Sequence, residues 1–483
     1  MKLSELVKGL SDVEIRNFSE RDIEYVTATS ERAGAGVIFV AIKGARYNGA
    51  DFIHRAHKLG TRVFVTECKS VKEKDSVIIC SKNTRKTLAE LCAKLSGNPE
   101  KSLSFIGVTG TKGKTTTSVM LSKILDGIGV RSITVGTLGV LGVGWSKTKN
   151  TTPDPTVLFP LFAEAKRQGI EVVIIEVSSQ ALKDFRVFGI EFSLVAFTGL
   201  GKDHIGGAEH PSFSDYIMSK RKLFSEYGAG CAVVNFDDPY SSYMTADVAR
   251  VIKCGFSEGA RYRITHFSDT RCGADFKVDG INVSIGLPGM YNARNAAIAL
   301  ALAKEITGAP ISVAARYIAE ARVSGRFEIQ SIDGKNIVID YAHNYDSMCE
   351  VISLSRRLFG GRIICVFGSV GGRSYKRRRE LASAAEKYAD MSVITTDNPG
   401  FELPLSVCAD IYAEFSDKTR AKIIVDRGEA ISYAINEAGT GDCVMLLGRG
   451  HEDTMYYGNG EISFSDSEYI KAMKENTKKK MEA

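Results

Sequence analysis

Short apolar runs alternate along the chain with longer stretches in which apolar residues recur every three or four positions. Met1 to Glu5 opens an amphipathic helix, and Val37 to Ile42 reads as a strand followed by a polar turn at Asn48-Gly49. A helix is expected over about 50–59, strands at Arg62–Thr66 and Val77–Ile79, and a helix from Thr84 to Ser96. Gly97-Asn98-Pro99 then reads as a linker. Beyond it, Leu103–Val108 is a short buried strand, and apolar residues at helical spacing run from Thr116 to Ile128. Arg131–Leu138 is a strand, and the polar loop Asn150-Thr151-Thr152-Pro153 leads into another helix. Val172–Ile175 is apolar without interruption, the pattern of a strand covered on both faces, and the pattern recurs at Leu194–Thr198. A helical segment at Tyr216–Phe224, a strand at Cys231–Asn235 and an alanine-rich helix opening at Gly289-Met290 complete the middle of the chain. From about Ser324 the alternation resumes, with strands at Asn336–Ile339, Arg362–Gly368, Met391–Thr396 and Cys443–Leu447. Strands alternating with helices define an α/β class built on parallel sheets. The expected division is a small α/β domain at 1–99, a central parallel-sheet domain at 100–323 and a second parallel-sheet domain, Rossmann-like, at 324–483.

Composition narrows the class. The chain has 483 residues, 44% hydrophobic and 25% charged, so it reads as an ordinary globular protein of about three domains. A formal charge of +6 over that length gives no reason to invoke nucleic acid. The ten cysteines are scattered, with no Cys-x-x-Cys and no zinc spacing, which fits a reducing cytoplasm. The first residues do not form a signal peptide, and no apolar run reaches membrane-spanning length. The expectation is a soluble cytoplasmic protein.

Polar residues at the ends of the apolar runs carry the chemistry. Val108-Thr109-Gly110-Thr111-Lys112-Gly113-Lys114-Thr115-Thr116 joins a strand to a helix through a glycine turn. Such a turn directs backbone N–H groups and the positive end of a helix at phosphates, while a lysine reaches the terminal ones and a hydroxyl holds Mg²⁺. Lys114 and Thr115 suit those last two roles, although Val108 stands where the general pattern has its first glycine. Glu176 ends the apolar run Val172–Ile175, where a carboxylate would be costly without a cation, and Asp203-His204 follows the next such run. Glu176, His204 and phosphates are therefore candidate partners of a divalent metal. Asn292 and Asn295 share one helix face, where they either brace the helix or read a purine edge. Asp340 and His343 either cap their strand end or hold a metal. Gly368–Arg373 is an anion-receptive turn, and Lys376-Arg377-Arg378-Arg379 reads as a solvated basic surface.

Taken together, Thr109–Thr116, Asn150–Pro153, Glu176-Val177-Ser178-Ser179, Asp203-His204, Gly325-Arg326-Phe327-Glu328, Asp340–His343, Asp397-Asn398-Pro399 and Gly448-Arg449-Gly450-His451-Glu452 resemble, in order, the motifs of the Mur ligases. These ATP-dependent enzymes add amino acids to UDP-N-acetylmuramic acid during peptidoglycan synthesis, and the set is most similar to the tripeptide-forming member. The resemblance runs from about Ser30 to Glu452. It implies a UDP-binding N-terminal domain, a central P-loop ATPase domain and a C-terminal domain for the incoming amino acid.

The resemblance also implies roles. Gly110, Thr111, Lys112, Gly113, Lys114, Thr115 and Thr116 would cradle ATP, with Thr115, Glu176, His204 and Lys220 around Mg²⁺. Lys220 falls where the family carries a lysine carbamylated by CO₂, and Lys114, Glu176, His204 and Lys220 would form the catalytic set. Asn292 and Arg326 match adenine-contacting positions and Asp340 a ribose-contacting one. Ser30 would hold uracil, and Asn150, Thr151, Thr152, Ser178 and Arg186 the muramoyl-dipeptide. Arg373, Asp397, Asn398, Gly448 and Glu452 would form the pocket for a free diamino acid, Glu452 suiting an ammonium and Arg373 a carboxylate. ATP would phosphorylate the terminal carboxylate of D-glutamate, and the amine would displace phosphate from the acyl-phosphate. No nucleic acid or membrane partner is implied, and a monomer is expected. Departures from the family pattern include Thr29-Ser30-Glu31 near the uridine, Gln180 after the paired serines, Gly199, and Gly400. Gly400 stands where diaminopimelate-selecting members have arginine, which favours lysine or another diamino acid over diaminopimelate. A folylpolyglutamate-synthetase-like ligase and a non-catalytic nucleotide-binding descendant are the alternatives. Against them stand the N-terminal domain with Asp397-Asn398-Pro399, and the presence of Lys114, Glu176 and Lys220.

Overall fold

A computed structural model describes residues 1–44, 47–68, 70–71, 73–142, 144, 146–201, 209–227 and 230–482, with side chains through Asn476. Asp203 and His204 lie outside the described residues. The described residues divide into two compact units, one drawn from 1–200, 209–262 and 298–314, the other from 201, 263–297 and 315–482.

The first unit contains two sheets. In the N-terminal one the strand order is Val13–Arg16, Val77–Ser81, Val63–Thr66, Val37–Val40, Tyr25–Thr27, parallel except for the first. The second runs Arg250–Gly255, Cys231–Asn235, Phe192–Phe197, Ser104–Thr109, Val172–Glu176, Ser132–Gly136, Gly139–Leu141, with only the last pair antiparallel. Ser104–Thr109 and Val172–Glu176 are central, which explains the apolar runs within them: helices cover both faces, and every position but the half-buried Ser104 at the start is buried. One apolar cluster runs from Leu3, Val26 and Leu88 of the N-terminal sheet layer to Phe105, Phe159, Phe162 and Phe192 of the central one.

In the second unit, the strand Tyr262–Thr270 from its second residue on, Gly273–Val278 and Ile281–Ile285 form an antiparallel meander. The larger sheet runs Glu328–Ile332, Lys335–Asp340, Cys443–Leu447, Ile363–Phe367, Met391–Ile394, Ala421–Ile423, with only the first pair antiparallel. Residues of the helices Tyr345–Leu358, Tyr375–Tyr388 and Pro404–Ala413 pack on one face, and those of Arg427–Glu437 and Asp466–Glu482 on the other. Cys443–Leu447 inserts between Lys335–Asp340 and Ile363–Phe367. Asp340, which ends its strand, and the segments after the other parallel strands, which hold Gly368–Arg373, Asp397-Asn398 and Gly448–Glu452, therefore lie at the carboxyl edge where such sheets bind ligands. Among the described residues no helix is long and apolar enough to cross a membrane.

The α/β architecture with parallel central and C-terminal sheets agrees with the sequence expectation. One detail does not. Arg378 is buried, with Nη2 2.6 Å from Glu402 and Nη1 2.5 Å from Asp410, so the basic run 376–379 is not simply a solvated face. On a helix the four residues point in different directions, and Arg378 turns inward to meet two carboxylates.

Candidate functional site

Ser104–Thr109 ends in the turn Gly110–Gly113, and the helix Lys114–Ile128 starts directly behind it. Gly110 (φ +155°) and Gly113 (φ +83°) take backbone conformations that favour glycine. A Cβ on Gly110 would also sit 2.0 Å from Thr198 Oγ1. The turn gathers positive charge. Lys114 Nζ donates to the Gly110 carbonyl at 2.9 Å, and Lys220 Nζ, from the helix Phe213–Ser225, donates to the same oxygen at 2.9 Å. Lys220 is buried and stands 4.7 Å above the ring of Tyr216, whose hydroxyl lies 2.9 Å from Thr111 Oγ1. Two ammonium groups at one glycine turn and a helix N-terminus suit a polyanion.

Glu176 meets this turn from the next strand. Its carboxylate accepts from Thr115 Oγ1 (2.9 Å), Thr137 Oγ1 (2.9 Å) and Thr137 N (3.1 Å). Those three donors explain how a carboxylate that is 1% exposed is tolerated. Gly136 is required beside it, since a Cβ there would lie 2.1 Å from Glu176 Oε1. A hydroxyl and a carboxylate in contact are hard oxygen donors of the kind Mg²⁺ takes. Among the described residues no three His, Cys, Asp or Glu side chains form a metal cluster.

The peptide carbonyl of Glu176 accepts from Thr152 Oγ1 at 2.7 Å, and Ser178 N donates to Thr152 Oγ1 at 3.0 Å. Thr151 Oγ1 is 3.2 Å from Thr137 Oγ1, and Arg186 Nη1 donates to the Thr152 carbonyl at 2.9 Å. Thr151, Thr152, Ser178 and Arg186 thus form one network with Glu176. Asn150 is exposed beside it, whereas Ser30 is buried in the 3₁₀ turn Ser30–Arg32 of the N-terminal sheet layer.

The second unit gathers the remaining candidates. Asp340 accepts from Phe327 N (2.7 Å) and Ala342 N (2.8 Å), the capping arrangement. His343 Nδ1 is 2.7 Å from the Tyr341 carbonyl. Asn292 Nδ2 donates to the Pro288 carbonyl at 2.7 Å, so it braces its helix. Arg326 stacks 4.6 Å over the ring of Tyr341, whose hydroxyl donates to Glu452 at 3.4 Å. Asn398 Nδ2 donates to Glu452 at 2.9 Å. Arg449, fully buried, lies 3.3 Å from Glu452 and 3.5 Å from Asp397. Gly448 (φ +99°) abuts Asp397, where a Cβ would come within 2.9 Å of Oδ2. Burial, and then the charge of Asp397, raise the Glu452 carboxyl above its ordinary range, with Arg449 opposing. Burial pushes the Tyr341 phenol up to about 12. Arg373 is exposed on its glycine-rich turn.

These features match known proteins along the chain. Residues 22–95 match the description "Mur ligase family, catalytic domain", 108–303 "Mur ligase middle domain" and 325–450 "Mur ligase, glutamate ligase domain". The UDP-N-acetylmuramoyl-L-alanyl-D-glutamate–2,6-diaminopimelate ligase of Aquifex aeolicus (strain VF5) is 35% identical over 94% of each chain. The chain belongs to the Mur ligase family. A ligase of the same name from Caldanaerobacter subterraneus subsp. tengcongensis is 32% identical over 98% of each chain. A solved structure bearing that name superposes with a TM-score of 0.64 at 24% identity, covering 94% of this chain and 95% of the other. As a Mur ligase the chain is an ATP-dependent amide ligase, of a family that works with ATP and Mg²⁺. Several residues that build the site were not singled out from sequence: Gly136 and Thr137 at Glu176, Tyr216 at Lys220, and Tyr341 and Arg449 at Glu452. The last two sit inside motifs that were read, and Tyr216 stands one helical turn before Lys220, a spacing that could have paired them. Thr137 reaches Glu176 across 39 residues, a gap that no local pattern bridges.

Proposed function

We propose that the chain joins a diamino acid, through its amine, to the terminal carboxylate of UDP-N-acetylmuramoyl-L-alanyl-D-glutamate, converting ATP to ADP and phosphate for peptidoglycan precursors. The observation that carries this reading is the double use of Glu176: its carboxylate meets Thr115 of the phosphate turn, and its carbonyl meets Thr152 beside Ser178. One residue thereby sets a nucleotide site and an acid-substrate site side by side. Gly110–Thr116 would hold the triphosphate, Thr115 and Glu176 the Mg²⁺, and Thr151, Thr152, Ser178 and Arg186 the muramoyl-dipeptide. Mg²⁺ bound there would neutralise phosphoryl charge. Ser30 would face the uracil, and Asn292, Arg326 and Asp340 the nucleoside of ATP.

Lys114 orients the transferred phosphoryl group and stabilises its oxygens. The glutamyl carboxylate attacks it, ADP leaves, and the amine then adds to the acyl-phosphate; a tetrahedral intermediate expels phosphate as the amine loses its proton. No protein nucleophile is required. Carbamylation of Lys220, in which the neutral amine adds to CO₂ and releases a proton, would replace an ammonium by an anionic oxygen donor. In the other unit Glu452 and Asp397 would receive the distal ammonium, Arg373 a carboxylate, with Asn398 and Gly448 shaping the pocket. The relatives' named amino acid, 2,6-diaminopimelate, is the first to test, with lysine and ornithine beside it because of Gly400. With a division at 1–99, 100–323 and 324–483, the first domain would take UDP, the second the ATP phosphates, and the third the amino acid together with part of the nucleoside through Arg326 and Asp340. Amino-acid-dependent phosphate release with the UDP-muramoyl-dipeptide tests the reading; no release with any diamino acid would refute it. Intact-mass analysis showing one CO₂ on Lys220 would test the carbamate.

A further inference from the structure

His210 stands between the turn that follows Glu176 and the helix Phe213–Ser225, and belongs to none of the motifs above. Its ring is 1% exposed, with Nδ1 2.6 Å from Asp215 Oδ2 and Nε2 2.9 Å from Ser179 Oγ. A carboxylate can only accept, so Nδ1 carries the proton; in the neutral ring Nε2 then accepts from the Ser179 hydroxyl. Asp215 is held ionised below the ordinary carboxylate range by His210 first and by Lys183, 3.1 Å away. The order Ser–His–Asp is that of a hydrolytic triad, but Ser179 is buried in the first turn of its helix, which suits anchoring rather than attack on an acyl group.

The ring's surroundings give it a different role. On one side is the turn Val177-Ser178-Ser179, which follows Glu176 and contains the Ser178 amide bonded to Thr152. On the other is the helix Phe213–Ser225, where the imidazole packs edge-on against Tyr216, centroids 5.2 Å apart. Tyr216 in turn meets Thr111 and lies under Lys220. We infer that His210 is a positioning residue for ligation: a buried imidazole that clamps the acid-substrate turn to the helix bearing Tyr216 and Lys220, fixing both relative to the phosphate turn. This rests on the ligase reading above.

The test compares wild-type enzyme, His210→Ala, His210→Gln, Ser179→Ala and the Ser179→Ala/His210→Ala pair. His210→Ala is expected to lower kcat on the order of 10–100-fold, the cost of a misplacement near 1 Å. It should raise KM for ATP and the UDP-dipeptide several-fold and leave KM for the amino acid within about twofold, since that pocket belongs to the other unit. His210→Gln, whose amide can donate to Asp215 and accept from Ser179, should recover part of the loss. In the pair, adding His210→Ala to Ser179→Ala should cost much less than it does alone. Wild-type constants in His210→Ala, a fall in kcat alone that tracks the unfolded fraction, or strictly additive losses would each overturn the inference. If wild-type enzyme forms no peptide bond with any diamino acid, the ligase reading fails instead. ADP binding then decides: a several-fold weaker Kd in His210→Ala supports the clamp, and an unchanged Kd overturns it.

Discussion

Arg427 and Asp466 make a bidentate ion pair with no exposure to water, Nε to Oδ1 at 2.7 Å and Nη2 to Oδ2 at 2.6 Å. The same guanidinium donates to the carbonyls of Thr396 (3.3 Å) and Leu447 (3.2 Å), the residues directly before Asp397 and Gly448. Asp466→Asn leaves a buried cation without its counter-charge, which costs about 3–5 kcal/mol. Replacing both members, as in Arg427→Met/Asp466→Leu, removes the stranded charge. It orphans two carbonyls at about 1–3 kcal/mol each, offset by about 1–4 kcal/mol from apolar packing in place of a buried ion pair. The net cost is about 1–3 kcal/mol at the central values. The double variant is therefore expected to be the more stable of the two. Amide hydrogen exchange of Cys443–Leu447, in the regime where exchange follows opening free energy, measures the difference locally in a chain of two units. At about 1.4 kcal/mol per decade, Asp466→Asn should speed exchange of these amides by roughly two to three and a half decades, and the double variant by roughly one to two. A single variant indistinguishable from wild type, or a double variant worse than the single, would refute the account of a stranded buried charge.

Other outcomes follow from the same geometry. Gly136→Ala drives a methyl into Glu176 Oε1 and should lower turnover on the order of 100-fold while the circular dichroism spectrum is kept; unchanged turnover would remove Glu176 from the chemistry. Lys114→Ala should lower kcat by about 100-fold or more, and intact ligation would exclude its role at the phosphates. Glu452 has a raised folded pKa, so its contribution to stability is present below the ordinary 4.5 and lost as pH rises through the raised value. A substrate ammonium prefers the ionised form, so KM for the amino acid should fall as pH rises through that value. Glu452→Gln should flatten the profile, and an unaltered profile would place the ammonium elsewhere. Gly400→Arg has open space, with only Tyr456 at 4.0 Å from a Cβ, but its φ of +60° costs a non-glycine residue about 1 kcal/mol. It should shift preference toward diaminopimelate relative to lysine, and competition between the two would detect no change if Gly400 is irrelevant to selection.

The phosphate turn and the strand Val172–Glu176 were legible in sequence because local rules suffice: glycines and a lysine between strand and helix, and an apolar run stopped by a carboxylate. Elements whose partners are remote were not. Tyr262–Thr270 alternates buried and exposed positions irregularly, so neither a strand nor a helix period stands out. Val13–Arg16 is four residues long at a sheet edge, too short for a period to show. Thr137 reaches Glu176 across 39 residues and His210 reaches Ser179 across 31, distances at which only the fold supplies the neighbour. Arg378 was misread because a run of like charges suggests solvent, and its two carboxylates lie on segments no nearby residue announces.

Two of the hydrogen bonds to Glu176, Thr115 to its side chain and Thr152 to its main chain, carry a lesson for redesign. A change at Thr152 intended to admit a different acid would tug on the backbone of the residue whose carboxylate faces Thr115. Altered substrate choice and altered nucleotide use should therefore arrive together, and selecting for one without the other would require compensating changes around a single strand end.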